Sequence, residues 1–263
     1  KNMKKVIFIL TIFLISSMGK LLAQNSAKYL TSEPPENKTM KHEETEFYTP
    51  VPPEVKGVPN FAPPPPDAIV LFDGKNLDKW VSSVNGGPAQ WTVANGVLTV
   101  KRHAEAIHTK QSFGDCQLHI EWRTPTPPTG EGQGRGNSGI FLQSQYELQV
   151  LDSYHADTYS NGQAGSIYKQ HPPLANACLP PGKWQSYDVF YKAPVFHDDG
   201  SLESPAYITV AQNGILIQNN ADIKGKTMFI GHPWYEKHGA LPLELQDHGN
   251  PVSYRNIWIR EVK

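Results

Sequence analysis

The stretch Tyr146-Glu147-Leu148-Gln149-Val150-Leu151-Asp152 carries several oxygen-bearing side chains close together in an otherwise apolar run. Carboxyl groups held side by side can do acid–base work, one taking a proton while another gives one up. On a strand Glu147 and Gln149 share a face, and Leu148 and Val150 turn to the other. Strict alternation puts Asp152 on the core side; a β-bulge at Val150 or Leu151 returns it to the face of Glu147. A solvated outer face accounts for the same alternation, and only a concave sheet makes it a groove. His248, in Leu245-Gln246-Asp247-His248-Gly249, is a second candidate, since an imidazole titrates near neutrality and serves as acid, base or metal ligand. The competing reading is a turn histidine, with Asp247 holding the turn.

Those residues need elements to position them, and the period of the apolar residues from Asp67 onward is two. Ile69 to Phe72, Gln117 to Arg123, Gly139 to Leu151, Trp184 to Tyr191, Leu243 to Gln246 and Ser253 to Val262 read as strands. Trp91 to Val100 and Tyr207 to Gln218 are hairpins turning on Asn95-Gly96 and Asn213-Gly214. Amphipathic helices are absent from the pattern. Short strands separated by Gly and Pro predict an all-β domain, a two-sheet jelly-roll β-sandwich. The loop Gly134-Arg135-Gly136-Asn137-Ser138-Gly139 opens onto a strand without the Lys-Ser/Thr or helix of a phosphate loop, which excludes nucleotide binding of that kind. Tyr168 and Trp184, with Tyr154, Trp234 and Tyr235, are candidate sugar-stacking rings, whereas Trp91, Trp122 and Trp258 alternate within strands as core.

The chain has 263 residues, 23 prolines, 21 glycines and a formal net charge of −1. That balance predicts no broad attraction to nucleic acid or anionic membrane. Lys4 and Lys5, the apolar run Val6 to Ile15 and the small residues up to Ala23 read as a secretory signal peptide over residues 1–23, with an uncleaved anchor as the alternative. Cleavage implies a secreted or periplasmic protein with no stable membrane anchor. Residues 24–66, rich in Pro, Glu, Lys and Thr, predict a disordered linker, because such a segment cannot bury enough apolar area to offset its ordering entropy. The folded domain is expected over 67–263. Cys116 and Cys178 are open to either pairing or burial as free thiols.

The Glu-x-Gln-x-x-Asp spacing resembles the bulged Glu-x-Asp-x-x-Glu motif of laminarinase-like jelly-roll glycosidases, in which the outer carboxylates do the chemistry. Gln149 and Asp152 depart from that motif, and the shorter last acid puts the ordinary retaining mechanism in doubt. A fuller resemblance runs over nearly all of 67–263: Leu71-Phe72-Asp73-Gly74-Lys75…Trp80, Asn137 to Leu142, Tyr146 to Tyr154, Pro181 to Asp188, Leu245 to Gly249 and Arg255 to Ile259. In this order they resemble the 3-keto-disaccharide hydrolase domain family. The resemblance implies a concanavalin A-like fold and an enzyme acting on glycosides oxidised at C3. A C3 ketone acidifies the C2 proton; a base removes it, the C1 substituent leaves by β-elimination, and water adds, with net hydrolysis as the outcome. The resemblance places Glu147, Gln149 and Asp152 in the groove with His248 beside them; the chemistry then makes Glu147 the expected base and His248 or Asp152 the expected leaving-group acid. Asn137, or a divalent cation on Glu147, Gln149, Asp152 and His248, would stabilise the enolate, with Tyr168 and Trp184 at the sugar. A non-catalytic lectin-like module and a conventional glucanase are the alternatives, because one fold hosts all of them.

Overall fold

The computed structural model describes residues 28–155 and 157–262. The expected signal peptide lies outside the described residues. Among those described, no helix is long and apolar enough to cross a membrane.

Strands appear in the windows that the period-two pattern marks, and also at 80–82, 107–113, 195–196 and 202–204, which it does not mark. In chain order they are β1 (Ile69–Phe72), β2 (Trp80–Ser82), β3 (Thr92–Ala94), β4 (Val97–Thr99) and β5 (Ile107–Phe113). Next come β6 (Cys116–Arg123), β7 (Ser138–Leu142), β8 (Tyr146–Val150), β9 (Gln185–Lys192) and β10 (Val195–Phe196). The last are β11 (Leu202–Ser204), β12 (Tyr207–Gln212), β13 (Ile215–Asp222), β14 (Leu241–Leu245) and β15 (Ser253–Glu261). One 8-stranded sheet runs β13-β12-β9-β6-β15-β4-β3, with β1 also on β15; a 5-stranded sheet runs β2-β5-β14-β7-β8. All the ladders are antiparallel.

Both Asn-Gly hairpins form, and the backbone says why. Asn95 and Gly96 have φ of 52° and 76°, Asn213 and Gly214 51° and 76°. Two successive positive φ values make the tight turn whose twist matches the flanking strands. Leu118, Ile120 and Trp122 of β6 and Tyr187, Val189 and Tyr191 of β9 meet Ile140, Leu142, Tyr146, Leu148 and Val150 of the smaller sheet in one core. The architecture is the expected all-β sandwich. Cys116 and Cys178 are both free thiols.

The segment expected to be a disordered linker is not detached from the domain: residues 28–66 lie against it as an arm. Tyr29 Oη donates to Asp222 (2.7 Å), and Asn37 Nδ2 to the His232 carbonyl (3.0 Å). Asn161 brackets the arm, donating to the Thr45 carbonyl (2.9 Å) and accepting from Phe47 N (2.8 Å). Farther along, Val58 N reaches the Asn213 carbonyl (2.8 Å), and Asn256 Nδ2 donates to the Ala62 carbonyl (3.1 Å). The composition argument holds for a segment that must build its own core. This arm borrows one: a few anchors such as Tyr29 are buried, and asparagines of the domain satisfy its backbone groups.

Candidate active site

β7 and β8 pair in unbroken register, Ile140 opposite Leu148 and Phe141 opposite Glu147. Ser138, Ile140, Leu142, Leu148 and Val150 therefore share the core face, while Glu147 and Gln149 point the opposite way. This separation is the one that strand alternation predicts. The free edge of β8 is not bare, however. The chain from Tyr159 to Gln170 lies along β8, with Gln149 N bonded to the Ser166 carbonyl (3.0 Å), Gly165 N to the Gln149 carbonyl (2.9 Å) and Tyr168 N to the Glu147 carbonyl (3.1 Å). Glu147 is left 5% exposed and Gln149 1%.

Glu147 is the chemically unusual group. Among the described residues its carboxyl has neither a hydrogen-bond donor nor an ion-pair partner, and burial pushes its pKa up to about 8. Charge is costly in such a place, so the proton stays on near neutrality. The carboxyl lies against Gly139 on the neighbouring strand, where a Cβ would stand 2.5 Å from Glu147 Oε1 and 2.8 Å from a Phe141 ring carbon. Only glycine leaves room for it.

The other candidates do not gather round it. At the end of β8, Val150 and Leu151 both enter the core, so alternation breaks at the expected place. Yet Asp152 is taken by Arg135, whose Nε donates to it at 2.8 Å, and by Tyr154 N at 3.3 Å. Burial raises the Asp152 pKa and the Arg135 guanidinium works against that rise; no effect of Glu147 is resolved. His248 stands exposed in a turn that Asp247 holds, accepting from Gly249 N (2.8 Å) and Ala104 N (3.0 Å). The turn reading is therefore right for Asp247, and His248 does not join Glu147. Among the described residues no three His, Cys, Asp or Glu side chains stand close enough to hold a metal ion. The set Glu147, Gln149, Asp152 and His248 thus does not fit a divalent cation.

Asn137 and Gln149 are structural neighbours. Gln149 Nε2 donates to Gln133 Oε1 (3.0 Å), and Asn137 Nδ2 to the Gln133 carbonyl (2.7 Å). Gln133 in turn donates to Thr158 Oγ1 (2.8 Å) and the Gly162 carbonyl (2.9 Å). Asn137 Oδ1 is buried without a partner. Trp184 precedes β9 on the larger sheet, where the Arg123 and Arg255 guanidinium groups stack on its ring at 4.6 and 4.2 Å. The ring thus packs with two arginines of the larger sheet, whereas Glu147 lies on the smaller one. Tyr168 stays with the site: its hydroxyl shares a 2.7 Å hydrogen bond with that of Tyr159. Burial pushes the Tyr168 pKa up to about 12, and the charge of Glu147 adds to the rise, whereas the bond to Tyr159 opposes it.

Tyr159 opens onto a cavity of about 870 Å³, lined also by Gln133 and Gln163 and, from the arm, by His42, Glu46 and Tyr48. That volume suits a small ligand such as a disaccharide. Glu147 is not on its wall; it lies behind the Tyr159–Tyr168 pair, both of which sense its charge. His42 Nδ1 bonds Glu46 Oε1 (2.9 Å). Burial alone would raise the Glu46 pKa, but hydrogen bonds from His42 and Tyr48, with the nearby Lys169 ammonium, hold it below the usual carboxylate value. Sequence reasoning missed the arm's contribution. Its one signal was the His42/Glu46 spacing of four, inside a segment read as unstructured. Tyr159 carried no signal, lying in a stretch without periodicity.

Comparison with known proteins agrees with this architecture. A solved candidate glycosyl hydrolase from Parabacteroides distasonis is 55% identical, over 84% of this chain and 97% of its own, with a TM-score of 0.75. A second from the same organism, 22% identical over 75% and 94% with a TM-score of 0.55, shares the fold. No protein of curated function matches the chain. The family description 3-keto-alpha-glucoside-1,2-lyase-like domain matches residues 67–260, and the chain belongs to that family.

Proposed function

We propose that the protein cleaves glycosides already oxidised at C3, by removing the C2 proton and eliminating the C1 substituent, water adding afterwards. Family membership and the Parabacteroides relative support a glycoside-acting enzyme. The finer reading rests on one observation: a single unpaired carboxyl, its pKa pushed up to about 8, behind the tyrosine pair that borders a sugar-sized cavity, while the other candidate acid is ion-paired. Ordinary glycosidases work with two free carboxyls facing each other across about 5–10 Å. Elimination next to a ketone needs one base whose pKa lies near the working pH.

In this scheme Glu147, as carboxylate, accepts the C2 proton. The C2–H electron pair forms the C1=C2 bond as the C1–O bond breaks, and the departing oxygen keeps the pair. Tyr159, a neutral phenol bonded to Tyr168, donates a hydrogen bond to the C3 oxygen as charge develops there. Productive binding brings the sugar past Tyr159 towards Glu147. The apolar run Val6 to Ile15 supports an extracytoplasmic setting.

Release of 4-nitrophenol from its 3-keto-glucoside, against the unoxidised glucoside, tests the scheme. Turnover of the keto compound alone is expected, rising with pH towards a plateau above about 8 as Glu147 ionises. Glu147→Gln should lower kcat at least a hundredfold. Equal turnover of both glucosides, or a Glu147→Gln variant at the wild-type rate, overturns the reading.

A further inference from the structure

Elimination requires a proton for the departing oxygen as well as a base. Neither group expected to supply it is in place, since Asp152 is held by Arg135 and His248 sits in an exposed turn. The cavity itself offers two imidazoles, His42 and His155. They differ in what holds them. His155 pairs with Glu54 at 2.9 Å, but those side chains are 60% and 57% exposed, so the pair is free to exchange with water.

His42 is built in. Its Nδ1 bonds Glu46 Oε1 at 2.9 Å, and the Glu46 side chain is only 6% exposed. Tyr48 Oη donates to the other carboxylate oxygen at 3.1 Å. The His42 ring lies flat on Phe229, centroids 5.1 Å apart and planes 16° from parallel. Its backbone is fastened too: Lys169 Nζ, with its side chain 2% exposed, donates to the His42 carbonyl (2.5 Å) and the Phe229 carbonyl (2.8 Å). The imidazole itself remains 44% exposed, and its Nε2 meets only Glu43, at 3.2 Å, a side chain 60% exposed and free to swing aside. A buried carboxylate on one nitrogen of a ring that lines an open cavity is the arrangement that fixes a histidine for proton transfer.

Resting on the 3-keto-glycoside reading above, we propose that His42, supplied by the arm outside the matched family region, is the catalytic acid that protonates the leaving group. As the C1–O bond breaks, the oxygen keeps the bonding pair and takes the proton from Nε2 of the imidazolium. Neutral His42 then takes a proton back from the water that adds at C1, whose hydroxide part bonds to C1. Glu147 returns its proton to C2. The balance needs no other reactant. Glu46 is a positioning residue, acting through the His42 ring.

The test compares two leaving groups on the full chain. A 3-keto-disaccharide loses a sugar alkoxide, which needs the proton; 4-nitrophenyl 3-keto-glucoside loses a phenolate, which does not. His42→Phe keeps a flat ring on Phe229 but carries no proton. It should lose a hundredfold or more on the disaccharide and less than about fivefold on the nitrophenyl compound. His42→Gly should regain disaccharide turnover with added imidazole, which a merely structural role would not allow. Equal losses on both substrates, no loss on either, or no rescue by imidazole overturns the role of His42. A wild-type chain inert towards both keto substrates overturns the underlying reading and the acid with it.

Discussion

The chemistry at residue scale turns on how one carboxyl is kept from water and from partners. Glu147 ionises in solution near pH 4.5 and in the fold near pH 8. Between those values the folded chain holds a proton that the unfolded chain has lost, so the group's contribution to stability is full below pH 4.5 and declines until about pH 8. Glu147→Gln removes that dependence. The stability of the variant relative to wild type should therefore rise by a few kcal/mol between pH 5 and pH 8.5, at about 1.4 kcal/mol per pKa unit. Urea midpoints at the two pH values check it, and a constant difference would mean that Glu147 is not desolvated. Gly139 is the second residue-scale lever. A Cβ there collides with Glu147 Oε1 and the Phe141 ring, so Gly139→Ala should displace the carboxyl. We expect a loss of turnover of tenfold or more, for a stability cost of about 1–3 kcal/mol from overpacking, read by kcat beside a thermal melt.

Elements set which side chains can reach the cavity. β7 and β8 fix the direction of Glu147; the segment from Tyr159 to Gln170 covers it and supplies the tyrosine pair; the arm closes the remaining side. Lys169 joins the last two. It adopts a φ of 57° and sends its ammonium to two backbone carbonyls and, at 3.5 Å, to Glu46. Burial lowers the Lys169 pKa, and Glu46 only partly restores it. Lys169→Met would leave those carbonyls buried without their donor and Glu46 without its ammonium partner, a loss of about 3–5 kcal/mol for a broken buried pair. Its effect is local to the arm. Limited proteolysis should cut the variant between residues 28 and 66 much faster than wild type, and KM should rise more than kcat falls. Unchanged cleavage would show that the arm is held elsewhere.

At the scale of the whole molecule, two sheets share one core, and the arm crosses from the edge near Asp222 to the outer face near Asn256. That face is polar but closed: Glu121 is buried, receiving Arg255 Nε at 2.5 Å and Asn256 Nδ2 at 2.7 Å, while His119 bonds Asp188 at 2.7 Å. Asn60 of the arm bonds Ser186 and Asp188 beside them. Arm and sandwich should consequently melt together. Calorimetry of the chain should give one transition whose midpoint is the same with and without reductant, since both thiols are free and burial pushes the pKa of Cys116 up to about 12 and of Cys178 to about 11. A separate low-temperature transition, or a midpoint that falls with reductant, would contradict this.

What the sequence determined by itself is local. Alternation placed Glu147 and Gln149 opposite Leu148 and Val150, the Asn-Gly pairs placed two hairpins, and ordered motifs over 67–260 identified the family. Each is written in neighbouring residues, because strand direction and turn geometry follow from side chains a few positions apart. The tertiary structure decided which polar groups meet. Asp152 lies five positions from Glu147 along the chain but is captured by Arg135, and His248 stays in its own turn, whereas His42 arrives from a segment whose composition predicts disorder. Spacing along a strand fixes a direction, not a partner. Partners are fixed by how distant segments cover a face, and so by the packing that also left Glu147 without a neighbour to share its charge.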